Sequence, residues 1–561
     1  MLGLGLIAGV LPALFAVSIG ALVAAVSSDG NVIPPIMMMG GITITQEVVS
    51  SVQSYISFEL YARFDEHVLG RIMRACLSPD WAGHLDDPEI QRRVTLAKAA
   101  ARFGPGEFVS GLSAKWVLRV EGVAGLIVVA RFSVAAAIAL AVTWLVYGNR
   151  MATSYFRVNP YWAEPMRQAS YLRSFGLQSA GAKEVRVFGL RDWVLHRYID
   201  RWSETMRELW AARRVDYWTL IPVGGLVLGV HAWVITSAVT AGLARRIDVG
   251  VLAALLPALI TAAGLGGREG DVWVENGAVP IPSVLELERA VAQLPAGASG
   301  AIGPDAPRLA LRTEDLRFTY PGQTDEVLAG VTLEIPAGTS LAIVGDNGAG
   351  KTTLISILAG VLRPTGGRVL VDHADLADVD PTAWRRQVGA IFQDFTRYPL
   401  TLRDNLLAGD TTTDLDDASL VVALDKAGGR ELLARMPRGL DTMLSRSFTD
   451  GIELSGGEWQ RVALARALVA VERGARLLIL DEPTAQLDVR GEAELFDRFL
   501  DITAGATVVL VSHRFSTVRR ADKIAVLSDG LVQEFGTHDE LLEREGRYAE
   551  MFTVQAARFR D

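Results

Sequence analysis

The stretch Gly345 to Thr353, GDNGAGKTT, has the spacing G-x-x-x-x-G-K-[ST] that suits a phosphate ligand. Gly345, Gly348 and Gly350 let backbone N–H groups turn inward around an anion, and a helix starting at the end of the loop adds the partial positive charge of its N-terminus. Lys351 would reach the β- and γ-phosphates, and Thr352 would give a hydroxyl to Mg²⁺. Asp346, Asn347, Ala349 and Thr353 complete the expected nucleotide loop. The apolar run Leu341 to Val344 predicts a buried strand before it, and Thr352 to Leu362 a helix after it. Further on, Leu477 to Glu482, LLILDE, predicts an apolar strand ending in two carboxylates. Asp481 can hold the Mg²⁺ shell while Glu482 polarises an attacking water; a buried strand by itself needs neither acid. Leu454 to Glu458, LSGGE, offers Ser455 and the N–H groups of Gly456 and Gly457 at a helix start, a second anion seat.

This ordered set resembles the ATP-binding cassette (ABC) family, and within it the bacterial exporter half-transporters of the multidrug, lipid and peptide type. The resemblance implies ATP and Mg²⁺ as the ligands, with Thr352, Gln393 and Asp481 around the metal. It implies that Ser455, Gly456, Gly457 and Glu458 of one cassette close on the γ-phosphate held by the P-loop of another. Tyr320, in FTYPG, matches the aromatic that stacks on adenine, and Gln393, in IFQDF, the glutamine that contacts Mg²⁺ and senses the transmembrane partner. Asp488, in AQLD, matches the acidic end of the loop between the two nucleotide sites, and His513, in VSHR, the switch histidine on the γ-phosphate. Glu482, His513 and Gln393 are therefore the expected catalytic set. One departure stands out: where family exporters commonly carry Gly-Glu-x-Gly before LSGG, this chain has Leu444 to Gly451, LSRSFTDG.

The elements that must position these residues fall in two halves. The chain has 561 residues, half of them apolar, and a formal net charge of −9. Residues 1–296 carry 26 Lys/Arg against 24 Asp/Glu, and the remainder 29 against 40. An acidic cassette without a basic stripe argues against nucleic acid as a partner. A single cysteine, Cys76, excludes an intrachain disulfide, and no histidine pair has metal-ligand spacing, so no structural metal is expected. Met1 to Ser28 has no charge before Asp29 and is long enough to cross a bilayer. No basic region precedes it and more spans follow, which disfavours a cleaved signal peptide. Family members usually begin with a cytoplasmic segment, so a short or mis-assigned start is expected.

Five further spans are expected: Asn31 to Tyr55, one within Phe108 to Ala130, one within Phe132 to Tyr147, Tyr217 to Leu243, and Val249 to Leu265. The third is interrupted by Lys115, Arg119 and Glu121, whose charges would either face a cavity or snorkel to the cytoplasmic side. The loops Arg63 to Arg119 and Asn149 to Asp216 hold 9 and 12 Lys/Arg, whereas the opposite turns hold only Arg131, Arg245 and Arg246. That asymmetry predicts a multi-pass protein of the cytoplasmic membrane with the cassette and both termini inside. By resemblance, Pro79 to Glu89 and Ala182 to Leu190 are coupling regions. Glu47, Glu121, Trp144, Trp218 and Trp233 are candidate cargo contacts, each with a plainer reading as an interfacial or ion-paired side chain.

The expected fold is thus a multidomain membrane protein: an α-helical transmembrane domain of about six spans over 1–296, a Gly/Ala/Pro-rich linker over 297–308, and an α/β P-loop NTPase cassette with a helical subdomain over 309–561. The tail from Thr537 to Phe559 reads as helical and carries no functional signal. One cassette per chain requires a second half-transporter, as a homodimer or a heterodimer. The expected function is ATP-driven efflux of an amphipathic or hydrophobic cargo, coupled to ATP hydrolysis. The alternatives are one half of an obligate heterodimer, or a membrane-tethered ATPase that signals without moving cargo. A soluble DNA-repair cassette is disfavoured by the spans and by the lack of a coiled coil between the P-loop and LSGGE.

Overall fold

A computed structural model describes residues 2–101, 106–155, 164–178, 181–212, 217–278, 280–295, 297–409, 415–483 and 505–557. These form two compact units: Met1–Ala75 with Arg92–Arg289, and Cys76–Gln91 with Ala290–Asp561.

The first unit is helical. Its elements are α1 (Leu2–Ser27), α2 (Ile33–Leu77), α3 (Pro88–Ala101), α4 (Glu107–Ala130), α5 (Val134–Tyr155), α6 (Glu164–Leu177), α7 (Ala182–Val187), α8 (Arg191–Ala212), α9 (Tyr217–Leu243), α10 (Val249–Ala262), α11 (Glu269–Ala278) and α12 (Pro280–Ala292). Small residues let the apolar helices approach closely, as in membrane bundles. A Cβ on Gly20 of α1 would lie 2.5 Å from the Gly250 carbonyl of α10, and one on Gly125 of α4 would lie 2.3 Å from Thr261 Oγ1. Ala16, Val129, Leu140, Val234, Leu255 and Leu259 are buried along these seams.

Among the described residues, four helices are long and apolar enough to cross a bilayer, within Gly3–Ser27, Val134–Met151, Ile221–Leu243 and Val249–Ala292. Helices also stand at the other two expected positions, but their composition differs. α2 is one helix of 45 residues, about 67 Å long, that runs from the weak second span straight into the charged arm. α4 keeps Lys115 and Arg119 by pairing them inside the bundle. Lys115 Nζ lies 2.8 Å from Asp271 Oδ1, while Arg268 Nη1 and Arg119 Nη2 lie 2.5 and 3.6 Å from Asp271 Oδ2. The Asp271 side chain is only 6% exposed, so one buried carboxylate gathers three cations. Lys115 and Arg119 thus share a carboxylate from another helix, a pairing that the hydropathy pattern does not reveal. The last expected span is helical along its length: α10 runs to Ala262, a 3-10 turn covers Ala263–Gly266, and α11 and α12 follow.

The second unit is a two-sheet α/β cassette. Strands β1 (Ala310–Phe318), β2 (Leu328–Pro336), β4 (Gly366–Val371) and β5 (Ala374–Asp375) form an antiparallel sheet in the order β2-β1-β4-β5. Strands β3 (Ser340–Gly345), β6 (Val388–Ile391), β7 (Leu477–Asp481), β8 (Thr507–Val511), β9 (Lys523–Ser528) and β10 (Leu531–Gly536) form the other, in the order β10-β9-β3-β8-β7-β6. Its pairings are parallel except for the antiparallel β9–β10 hairpin. The parallel strands are continuous apolar runs, as burial on both faces demands. Between the sheets, helix α13 (Lys351–Leu358) sets Leu354, Ile355 and Leu358 against Ile343, Ile479 and Val509.

A helical subdomain comprises α15 (Leu402–Leu407), α16 (Asp417–Lys426), α17 (Arg430–Ala434) and α18 (Gly456–Glu472), with Leu402, Leu420, Trp459 and Val462 buried within it; the short helix α14 (Pro381–Arg385) precedes it. The turn between α2 and α3 also belongs to this unit. Its 3-10 helix, Ala82–Asp86, is tied down by Ala82 N–H donating to the Val361 carbonyl at 2.9 Å, and Arg385 donates to the Asp80 carbonyl.

Candidate functional site

Strand order builds the site. β3, β8 and β7 are consecutive parallel neighbours, so the segments leaving their C-terminal ends emerge side by side. Those segments are the P-loop after β3, Glu482 after β7, and Ser512 and His513 after β8. Ligands of open α/β sheets bind at this edge.

The P-loop needs its glycines. Gly345 has φ +152° and a Cβ there would meet the Leu527 carbonyl at 2.0 Å; Gly350 has φ +97° and its Cβ would meet Leu328 Cδ2 at 2.7 Å. Lys351, 7% exposed, folds back so that Nζ donates to the carbonyls of Gly345 and Asp346, each at 2.8 Å. Burial pulls the Lys351 ammonium below its usual range, against the carboxylates of Glu482, Asp481 and Asp346. Asp346, Asn347 and Gly348 stay at the surface, while Ala349 and Thr353 are buried. An ammonium that finds only backbone carbonyls, beside a loop opening its N–H groups to solvent, fits a polyphosphate.

The metal seat is equally coherent. Thr352 Oγ1 donates to Asp481 Oδ2 at 3.2 Å. Burial raises the Asp481 carboxyl above its usual range, opposed by the Thr352 hydroxyl and the Gln393 backbone N–H. A hydroxyl, a carboxylate and the Gln393 amide are hard oxygen donors of the kind Mg²⁺ takes, and a cation here would relieve the burial of Asp481.

Glu482 is gripped from two sides. The His513 Nε2–H donates to Glu482 Oε1 at 2.9 Å and Gln393 Nε2 donates to Glu482 Oε2 at 3.4 Å. Its backbone sits in the left-handed region at φ +47°, with its N–H on the Val511 carbonyl at 2.9 Å. A non-glycine residue there is strained, a cost that functional sites retain. Tyr320 is T-shaped against Phe318, and its hydroxyl lies 3.1 Å from Thr353 Oγ1, which brings the expected adenine platform to the P-loop helix.

Thus Tyr320, the P-loop, Gln393, Asp481, Glu482 and His513 are brought together. Ser455, Gly456, Gly457 and Glu458 form their own local structure at the start of α18. Ser455 caps the helix, accepting from Glu458 N–H at 3.4 Å, while Ser455 N–H donates to Glu458 Oε2 at 2.8 Å. Arg435 pairs with Glu458 from outside. Asp488 lies outside the described residues. The divergent segment Leu444–Gly451 packs as a tight turn: Gly451 N–H donates to the Phe448 carbonyl at 3.0 Å, and Phe448 is 48% exposed.

Three contacts have no signature in the sequence. All come from the C-terminal helix Arg547–Ala557. Arg547 Nη2 pairs with Asp346 Oδ2 of the P-loop at 2.8 Å, and Gln555 Nε2 donates to the His513 carbonyl at 2.9 Å while its Oε1 accepts from Phe515 N–H at 3.2 Å.

Known proteins share these features. The ABC transporter family model matches residues 328–485. The ATP-dependent lipid A-core flippase of Nitrosococcus oceani is 32% identical over 379 residues, covering 67% of this chain and 62% of that protein. The mycobactin import ATP-binding/permease protein of Mycolicibacterium thermoresistibile is 40% identical over 244 residues, 44% of this chain and 40% of its own length. The nisin transport ATP-binding protein of Lactococcus lactis is 36% identical over 238 residues, 42% of this chain and 39% of its own length. The chain therefore spans about half the length of these curated relatives, between 39% and 62%. The structure of a bacterial Atm1-family ABC exporter with ATP bound matches 99% of this chain and 97% of its own, with a TM-score of 0.73 at 22% identity, which shows a shared fold. Residues 328–485 are therefore those of an ABC transporter domain, and the whole chain shares the fold of an ABC exporter, with a helical domain followed by one cassette.

Proposed function

We propose that the chain hydrolyses ATP to drive an amphipathic or hydrophobic cargo out of the cytoplasm by alternating access, as one half of a dimer in the cytoplasmic membrane. The observation that carries this reading is the grip on Glu482: one carboxylate held by His513 and Gln393 beside Asp481, Thr352 and Lys351. Mg²⁺ on Thr352, Asp481 and Gln393 would supply charge neutralisation at the transferring phosphoryl group. One oxygen of the Glu482 carboxylate would accept the proton of the attacking water, and His513 and Gln393 fix the direction in which that carboxylate points. Lys351 exchanges its backbone carbonyls for phosphate oxygens.

Dimerisation is supported by what a single chain leaves uncovered. The hydrogen bonds of Ser455 among the described residues run within its own capping turn and reach no P-loop residue. On α7 and just after it, Val187 and Phe188 are 78% and 69% exposed, as expected of a coupling region that docks on a partner's cassette. The Ala82–Asp86 turn, seated on the cassette, is the other coupling region.

Glu482→Gln is expected to retain ATP binding and lose turnover; normal steady-state hydrolysis by that variant would sink the assignment. Cargo flux in sealed vesicles of either orientation tests the direction. Uptake into inside-out vesicles supports efflux, whereas uptake only into right-side-out vesicles favours import, the direction named for the mycobactin relative. Hydrolysis without flux favours the sensor, and hydrolysis only after adding a second half-transporter favours the heterodimer.

A further inference from the structure

Two cavities of the helical unit share one wall residue. The first, of about 650 Å³, lies along α2 and α4 and is lined by Ser50, Ser54, Ser57, Ser110, Ser113 and Glu269. The second, of about 470 Å³, is lined by Trp144, Tyr147, Met151, Trp273, Arg268 and Glu269. One is walled by hydroxyls and the other by aromatic faces, with Glu269, the first residue of α11, facing both.

The charges around this junction are unequal in what they leave free. Lys115, Arg119 and Arg268 all converge on buried Asp271. Glu269 is exposed and pairs with no cation among the described residues. Glu269 opens the charged helix α11, just beyond the apolar helix α10, and an acidic side chain beside a cavity there is a candidate functional site. A free carboxylate beside Trp and Tyr rings is the chemistry that recognises an organic cation: the acid neutralises the charge and the ring faces attract it. The serine hydroxyls offer acceptor oxygens in place of the water such a cation gives up.

Resting on the transport reading above, we propose that the cargo is an organic cation with an apolar body, and that Glu269 is its contact residue, with Trp144 and Trp273 walling the apolar part. Trp144 was legible as a cargo candidate from the sequence; Glu269 was not. Of the other candidates, Trp233 and Glu47 line neither cavity, and the Trp218 side chain lies outside the described residues.

The test uses three probes of similar bulk: tetraphenylphosphonium, neutral triphenylphosphine oxide and tetraphenylborate. Binding to the full chain in lipid nanodiscs is measured by equilibrium dialysis against empty nanodiscs, so it does not depend on ATP turnover. Tetraphenylphosphonium is expected to bind at least tenfold more tightly than the other two. Glu269→Gln is expected to abolish that preference while leaving the neutral probe and basal hydrolysis unchanged, and Glu269→Asp to retain most of it. Equal or tighter binding of the borate, a Glu269→Gln effect shared by all three probes, or no binding above empty nanodiscs overturns the proposal. Loss of ATP hydrolysis by the wild-type chain with cation binding intact would instead overturn the transport reading beneath it.

Discussion

At Tyr320 a motif and a geometry can be separated by experiment. The ring packs on Phe318 and the hydroxyl on Thr353, so the side chain is held before any base arrives. Base–aromatic stacking is worth about 1–3 kcal/mol. Tyr320→Ala should therefore weaken ATP binding by about tenfold or more, while Tyr320→Phe, which keeps the ring, should stay within about threefold. Equilibrium binding of a fluorescent ATP analogue reads both; equal losses would assign Tyr320 to packing through its hydroxyl. Glu482 carries the complementary lesson. LLILDE shows that a strand ends in two acids, but only the left-handed turn at Glu482 makes the two carboxylates diverge. Asp481 stays buried against Thr352, and Glu482 swings to His513 and Gln393.

Among the elements, the C-terminal helix Arg547–Ala557 changes most in meaning between sequence and structure. Read alone it is part of a helical tail without functional signal. In the fold, Phe552 and Tyr548 pack on Phe515, and Gln555 holds the His513 carbonyl in place. Gln555 would be a positioning residue, acting through the His513 carbonyl and the Phe515 N–H. Displacing a catalytic group by about an ångström can cost about a hundredfold in rate. Gln555→Ala should lower kcat for ATP hydrolysis on the order of tenfold with KM little changed, and Gln555→Glu, which keeps the acceptor for Phe515 N–H but not the donor, should fall between. A parallel rise in KM would place the helix in ATP binding instead. α4 teaches the same point in the helical unit. Its Lys115 and Arg119 break a hydropathy pattern, yet they are satisfied by a carboxylate on α11, more than 150 residues away. No local pattern can anticipate a partner at that separation.

For the whole molecule the decisive proposal is that each nucleotide site is assembled from two chains. P-loop and LSGGE are both present and both well formed, yet they belong to different parts of one cassette. If Ser455 works in trans, chains carrying Lys351→Ala and chains carrying Ser455→Arg should each be inactive alone. Co-reconstituted, they should recover activity, because the mixed dimer retains one intact P-loop opposite one intact Ser455. Roughly a quarter of wild-type hydrolysis is expected if the chains mix at random and the two sites act independently. No recovery would argue for sites completed within one chain or by a different partner.

Much of the cassette was legible in the sequence because its chemistry depends on local order: glycines before a helix, acids after an apolar strand, a serine at a helix start. The antiparallel and parallel sheets follow from the same runs of apolar residues that flank those motifs. Tertiary structure decided what depends on contacts between distant segments. The order β3-β8-β7 sets P-loop, acids and histidine side by side, and the C-terminal helix anchors two of them. The Asp271 hub gathers three cations around one carboxylate, and Glu269 is left without an ion pair among the described residues, between two cavities. Local patterns record what each segment prefers. Which charge goes unpaired is a property of the sum, settled only when the helices have packed.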